Sequence, residues 1–147
     1  MTKRSTRQDA LRAIVRGGTV RTQQELVDRL RALGFECTQA TVSRDAAEIG
    51  LRKLLGGGYV LAEDLHLHRM FEDLVTGVVR SQQLVLVKTS AGGAMGVAAA
   101  LDAGGFEHVL GSIAGDDTVL LITESEAAAE GLVGALSRYA PRRGFRR

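Results

Sequence analysis

Two amphipathic helical stretches joined by a turn of a few residues constrain the first half of this chain most strongly. The first opens on a capping box, Thr22-Gln23-Gln24-Glu25, and carries Leu26, Val27, Leu30 and Leu33 at helical spacing. Gly34 follows, the residue type that closes a helix in the left-handed conformation. After Phe35-Glu36-Cys37, Thr38 caps the next stretch, Gln39 to about Gly50, with Ala40, Val42, Ala46, Ala47 and Ile49 available for packing. Helices joined this tightly, with glycine in the turn, form a helix-turn-helix. A further box, Ser5-Thr6-Arg7-Gln8, begins an earlier helix with Ala10, Leu11, Ile14 and Val15, ended by Gly17-Gly18. Beyond the third helix, Leu51 to Leu55 and Tyr59 to Leu61 flank Gly56-Gly57-Gly58, the pattern of a β-hairpin, here a wing.

Charge separates the two halves. Residues 1–62 carry 11 Lys/Arg and 6 acids, a net of +5, whereas residues 63–140 carry 4 and 11, a net of −7. The basic half suits a polyanion and the acidic half something cationic. Aromatic residues are 4% of the chain and only Phe35 and Tyr59 lie in the basic half, against stacking recognition of single strands. Double-stranded DNA is the expected partner, read by the third helix. Its Gln39, Thr41, Ser43 and Arg44 are short or rich in donors, and Arg pairs in two places with a guanine edge as Gln does with adenine. Arg52 and Lys53, where the wing starts, are expected on the phosphates.

The second half alternates differently. Residues 62–70 lack clear periodicity, and His66-Leu67-His68 has no third metal ligand nearby, so 63–70 is expected to be a solvated linker. Strands are expected at Leu74 to Val79, Leu84 to Thr89, Val109 to Ala114 and Thr118 to Thr123, and helices at Ala91 to about Ala103 and Glu126 to Tyr139. That order, ββαββα with tight turns, predicts an antiparallel sheet with both helices on one face. The glycine-rich turn Ser90 to Gly96 lacks the lysine and hydroxyl ending of a phosphate loop and is expected to be a tight strand-to-helix turn. The fold class is therefore α+β: a winged helix-turn-helix at 1–62, the linker 63–70, an antiparallel-sheet oligomerisation unit at 71–140, and a basic tail at 141–147.

Hydrophobic residues at 45% give a globular chain. No apolar run spans a bilayer and no secretory pattern follows the basic start, so a cytoplasmic location is expected. The single Cys37 excludes an intrachain disulfide and is expected to pack as a small apolar residue.

Thr38-Gln39-Ala40-Thr41-Val42-Ser43-Arg44-Asp45, followed by Glu48-Ile49-Gly50-Leu51, resembles the recognition-helix motif of bacterial arginine repressors. Thr22 to Leu26 resembles the helix before it, and Leu110 to Thr118 resembles the signature of that family's C-terminal domain. The resemblance covers nearly the whole chain. It implies an arginine-dependent regulator of arginine biosynthesis and catabolism genes that binds palindromic operators. It further implies a hexamer built as a dimer of trimers, with L-arginine as co-repressor between subunits. By the same resemblance Asp102, Asp116 and Asp117 match the family's ligand carboxylates, and no metal, other cofactor or enzymatic activity is implied. The chemistry agrees, because a guanidinium presents a planar fork of donors that carboxylates accept in two places. Met95 stands where the family usually has Gln or His, and Met cannot donate a strong hydrogen bond to the ligand carboxylate. The alternative is a ligand-independent architectural or recombination-accessory DNA-binding protein. An enzyme built on the same three aspartates lacks a positioned nucleophile and base.

Overall fold

A computed structural model describes residues 2–55 and 57–141; the basic tail from Arg142 onward and the wing residue Gly56 lie outside the described residues. The chain forms two compact units, Met1–Leu65 and His66–Arg147.

The first unit holds three helices, α1 (Lys3–Gly17), α2 (Gln23–Ala32) and α3 (Gln39–Ile49), and a hairpin of β1 (Leu51–Lys53) and β2 (Tyr59–Leu61). The expected caps of α2 and α3 form: Thr22 accepts from the Glu25 amide and Thr38 from the Thr41 amide. Gly34 and Gly50 take φ of +91° and +78°, so each helix stops where only glycine turns without strain. The cap of α1 differs from expectation. Thr2, not Ser5, is the N-cap, and its hydroxyl accepts from the Ser5 amide at 3.1 Å. A Ser5 box would need Gln8 to reach back, but the Gln8 amide donates instead to Asp45 and Glu48 on α3. The wing pairs Leu51 with Leu61, and the Tyr59 amide donates to the Val20 carbonyl at 2.9 Å, fixing the hairpin to the helices.

The core of this unit joins Leu11 and Val15 of α1, Leu26, Val27 and Leu30 of α2, Val42 and Ala46 of α3, and Leu51 and Leu61 of the wing. Each fully buried side chain of this size contributes about 1.5–3 kcal/mol. Cys37 is buried in the same cluster. Ala40 and Ala47, expected as packing residues, are exposed; the buried stripe of α3 is Val42, Asp45 and Ala46, with Ile49 packed beside it.

Residues 63–70 are not irregular. They lie inside α4 (Ala62–Leu74), whose Leu67 and Phe71 are buried in the core of the second unit. Leu67, Met70, Phe71 and Leu74 follow helical spacing, a stripe that dividing the chain at residue 70 cuts in two. His68 packs against Tyr139, with ring centroids 4.5 Å apart and ring planes tilted by 52°. Among the described residues no group of three or more His, Cys, Asp and Glu side chains could hold a metal ion.

The second unit continues with β3 (Val75–Ser81), β4 (Leu84–Thr89), α5 (Ala94–Ala103), β5 (Val109–Ala114), β6 (Thr118–Thr123) and α6 (Glu126–Leu136). A short 3-10 turn at Ser137–Tyr139 replaces the end expected for the last helix. The sheet is antiparallel throughout, in the order β3-β4-β6-β5. Val85, Val87, Val119 and Leu121 point to one face, where Val97 and Leu101 of α5 and Ala129, Leu132 and Leu136 of α6 cover them. Both helices therefore lie on that face, as the ββαββα order predicts. The other face carries a row across all four strands, Val79–Leu86–Leu120–Ile113, set by the strand registers. No helix among the described residues of the unit covers it, and Val79 is 52% and Ile113 63% exposed. No helix among the described residues is long and apolar enough to cross a membrane.

Candidate nucleic-acid interface and ligand carboxylates

The exposed side of α3 collects the residues expected to read DNA. Gln39, Ser43 and Arg44 are exposed, and none forms a side-chain hydrogen bond with a described residue. Thr41 is half-buried and its hydroxyl lies 3.0 Å from that of Thr38, within the cap. A helix that offers donors from its first turns while its other side is packed has the geometry for entering a major groove by its N-terminal end. Arg52 and Lys53 are exposed on β1. The Arg52 guanidinium bonds the neighbouring Leu51 carbonyl at 3.4 Å, and the Lys53 ammonium sits 5.9 Å from the Tyr59 ring centre. Both cations thus lie on the wing, one element away from α3.

What the expected site omitted is the seating of α3. Asp45 is 2% exposed, although it lies next to Arg44. Arg7 of α1 grips it with two donors, Nε to Oδ2 and Nη2 to Oδ1, the latter at 3.2 Å, and Gln8 adds a third at 3.4 Å. One turn further, Arg4 grips Glu48 in the same forked way, with Nε 3.1 Å from Oε2, and Gln8 donates to Oε2 at 2.6 Å. Two basic residues three apart on α1 thereby meet two acids three apart on α3. Hydrogen bonds from Arg4 and then Gln8 hold the Glu48 carboxyl below its ordinary range, and the charges of Arg4 and Arg44 act in the same direction. The Arg4 and Arg7 guanidinium groups are held more firmly protonated by their acids. Two of the cations counted toward the basic half are therefore committed inside it. The signal that could have found Asp45 is the stripe 42, 45, 46, 49, in which the second position is an acid.

At the other end of α1, Arg16 bonds Asp64 at 3.0 Å and Glu63 at 2.5 Å, and the Ala62 amide bonds the Gly50 carbonyl at 2.8 Å. These contacts all lie within the first unit, which extends to Leu65.

In the second unit the three aspartates do not form one cluster. Asp116 and Asp117 are exposed in the turn between β5 and β6. The turn is tied to neighbouring backbone: the Ala94 amide donates to the Asp116 carbonyl at 3.2 Å and the Thr89 amide to the Asp117 carbonyl at 2.8 Å. One Asp117 carboxylate oxygen accepts from Thr118 at 3.0 Å, and no described side chain bonds the Asp116 carboxylate. The turn therefore sits at the start of α5, beside exposed Met95. Asp102 sits at the other end of α5, where Ser112 of β5 donates to it at 2.8 Å. From Ala94 to Asp102 the helix axis rises about 12 Å. The glycine-rich strand-to-helix segment is a turn as expected: Gly92 has φ +78°, and a Cβ on Gly93 would lie 3.1 Å from the Ser90 carbonyl.

A winged helix-turn-helix whose reader helix presents free donors, in one chain with an antiparallel α+β unit, defines a DNA-binding regulator. Two family models match it in tandem: the arginine repressor DNA-binding domain over residues 2–66 and the arginine repressor C-terminal domain over residues 71–138. Curated relatives agree over most of the chain. An arginine repressor of Thermus thermophilus is 46% identical over 143 residues, covering 90% of this chain and 87% of the relative. One from Pelotomaculum thermopropionicum is 40% identical over 137 residues, covering 86% and 91%. One from Heliobacterium modesticaldum is 38% identical over 148 residues, covering 92% and 98%. The chain belongs to the arginine repressor family. These are DNA-binding transcription regulators, not enzymes.

Proposed function

We propose that this chain regulates arginine biosynthesis and catabolism genes in the cytoplasm by binding operator DNA in an arginine-dependent way. In this reading residues 1–62 form the DNA-binding head, with Gln39, Thr41, Ser43 and Arg44 on base edges and phosphates and Arg52 and Lys53 on phosphates. Residues 71–140 form the ligand and oligomerisation unit, with 63–70 joining them as part of α4. L-Arginine is the co-repressor, held by Asp102, Asp116 and Asp117 in a hexamer made of two trimers.

One observation carries the ligand half of this reading: the three aspartates stand at opposite ends of α5. The two ends of α5 thus offer two separate acidic positions, and an extended arginine with a hydrogen bond at each end has a span comparable to that separation. Placing the ligand between subunits follows the family resemblance, and there a second copy adds the same two acidic positions. The uncovered apolar row Val79–Leu86–Leu120–Ile113 supports subunit contact in the same unit, because contiguous exposed apolar surface marks interfaces. An arginine has two cationic ends, and two separate groups of carboxylates match both.

Calorimetry of the parent chain with L-arginine, L-citrulline and L-lysine tests this. Citrulline keeps the length and shape of arginine without the guanidinium charge. Arginine is expected to bind, and citrulline to bind at least about tenfold more weakly, the cost of replacing a charge-assisted pair by a neutral one. Equal affinity for the two ends the carboxylate–guanidinium account.

A further inference from the structure

Arg44 and Glu48 are four residues apart on α3, the spacing at which oppositely charged side chains on one helix face pair. In this structure they do not pair. Both Glu48 oxygens are occupied from α1: Arg4 reaches Oε1 and Oε2, and Gln8 reaches Oε2 at 2.6 Å. Arg44 is close enough for its charge to act on Glu48, yet it bonds no described residue. Its other acidic neighbour, Asp45, is turned into the protein and taken by Arg7.

We propose that Arg4 and Gln8 are positioning residues for operator recognition: by occupying Glu48 they keep it from capturing Arg44, and so leave the Arg44 guanidinium free for DNA. The inference rests on the reading of Arg44 as an operator contact. It gives the basic residues of α1 a different task from the phosphate attraction that their charge suggests. Arg4 acts on DNA through Glu48 and Arg44, not by touching the duplex. The Arg4 ion pair also offsets the negative charge of Glu48 beside Arg44.

The test uses the full chain and a duplex that the parent selects from a random-sequence pool. Arg44→Ala is expected to weaken binding about ten- to a hundredfold. Arg4→Ala frees Glu48 and is expected to weaken it about three- to tenfold, through pairing with Arg44 on each of two heads and the exposed carboxylate. Adding Glu48→Ala to Arg4→Ala is expected to return affinity to within about twofold of the parent. Adding Asp28→Asn instead restores the same net charge from exposed Asp28 on α2 and is expected to rescue nothing. Melting curves and sizing confirm that each variant is folded and assembled. Parent-like binding by Arg44→Ala overturns the reading of Arg44, and the inference with it. If Arg44→Ala is weak but Arg4→Ala is not, or if Glu48→Ala fails to rescue Arg4→Ala, the positioning role is overturned while Arg44 keeps its place. Rescue by Asp28→Asn would reduce the effect to net charge and likewise overturn it.

Discussion

Asp45→Ala is expected to unfold the DNA-binding head at temperatures where the second unit stays folded. The Asp45 side chain is 3% exposed and that of Arg7 18%, so the acid is buried while the guanidinium keeps an edge in water. Removing the acid leaves a part-buried guanidinium that cannot lose its charge; a fully buried pair broken from one side costs about 3–5 kcal/mol, and this one is expected near the lower end, about 3 kcal/mol. A unit of this size is stabilised by only about 3–10 kcal/mol in total. The loss should appear as a head transition lowered by well over ten degrees, and as fast amide exchange in α1 and α3 but not in β4 or β6. Operator binding disappears with it, because α3 loses its seat. Arg7→Met combined with Asp45→Leu is expected to regain most of the stability, since apolar residues of similar volume replace a buried pair at little cost. Exchange in α1 and α3 that matches the parent after Asp45→Ala would show that the pair is not holding the helix.

Asp117→Asn and Asp116→Asn are expected to weaken L-arginine binding by about 1.5–3 kcal/mol for each charge-assisted hydrogen bond lost, leaving the fold unchanged. Both carboxylates are exposed, and the turn is held by main-chain bonds at the Asp116 and Asp117 carbonyls, which an amide side chain leaves in place. Binding and assembly are linked: a ligand that bridges copies must tighten the oligomer by the same free energy with which assembly tightens the ligand. The variants should therefore need more arginine to reach the same oligomer in sedimentation runs. Undiminished arginine affinity in both variants would remove the acidic turn from the ligand site.

Local chemistry made much of the fold legible. The caps at Thr22 and Thr38 and the glycines at 34 and 50 fix where α2 and α3 begin and end, and the ββαββα order fixes that both helices share one face of the sheet. What the sequence hid depends on partners distant in the chain. Ser5 looks like a cap until Gln8 is seen to be engaged by α3, some 40 residues away. Asp45 looks like a solvated acid beside a reading arginine, and only the packing of α1 on α3 shows it buried on Arg7. The helical stripe through Leu67 and Phe71 is diluted by His66, His68 and Arg69, and reads as a linker without the core it fills. For the ligand residues, the motif gives the identity of the carboxylates but not their separation. That Asp102 and the acidic turn stand at opposite ends of α5 is a property of the fold.

Arginine dependence of DNA binding is the central claim, and one titration tests it most directly. The parent chain is titrated against a duplex selected from a random pool in the presence of arginine, at fixed salt, with and without L-arginine, beside sizing of both samples. Specific affinity is expected to rise with arginine, by about five- to 150-fold for a coupling of 1–3 kcal/mol, together with a shift toward the hexamer. Equal specific affinity and equal size in the two samples would contradict the account and leave a DNA-binding protein that needs no ligand.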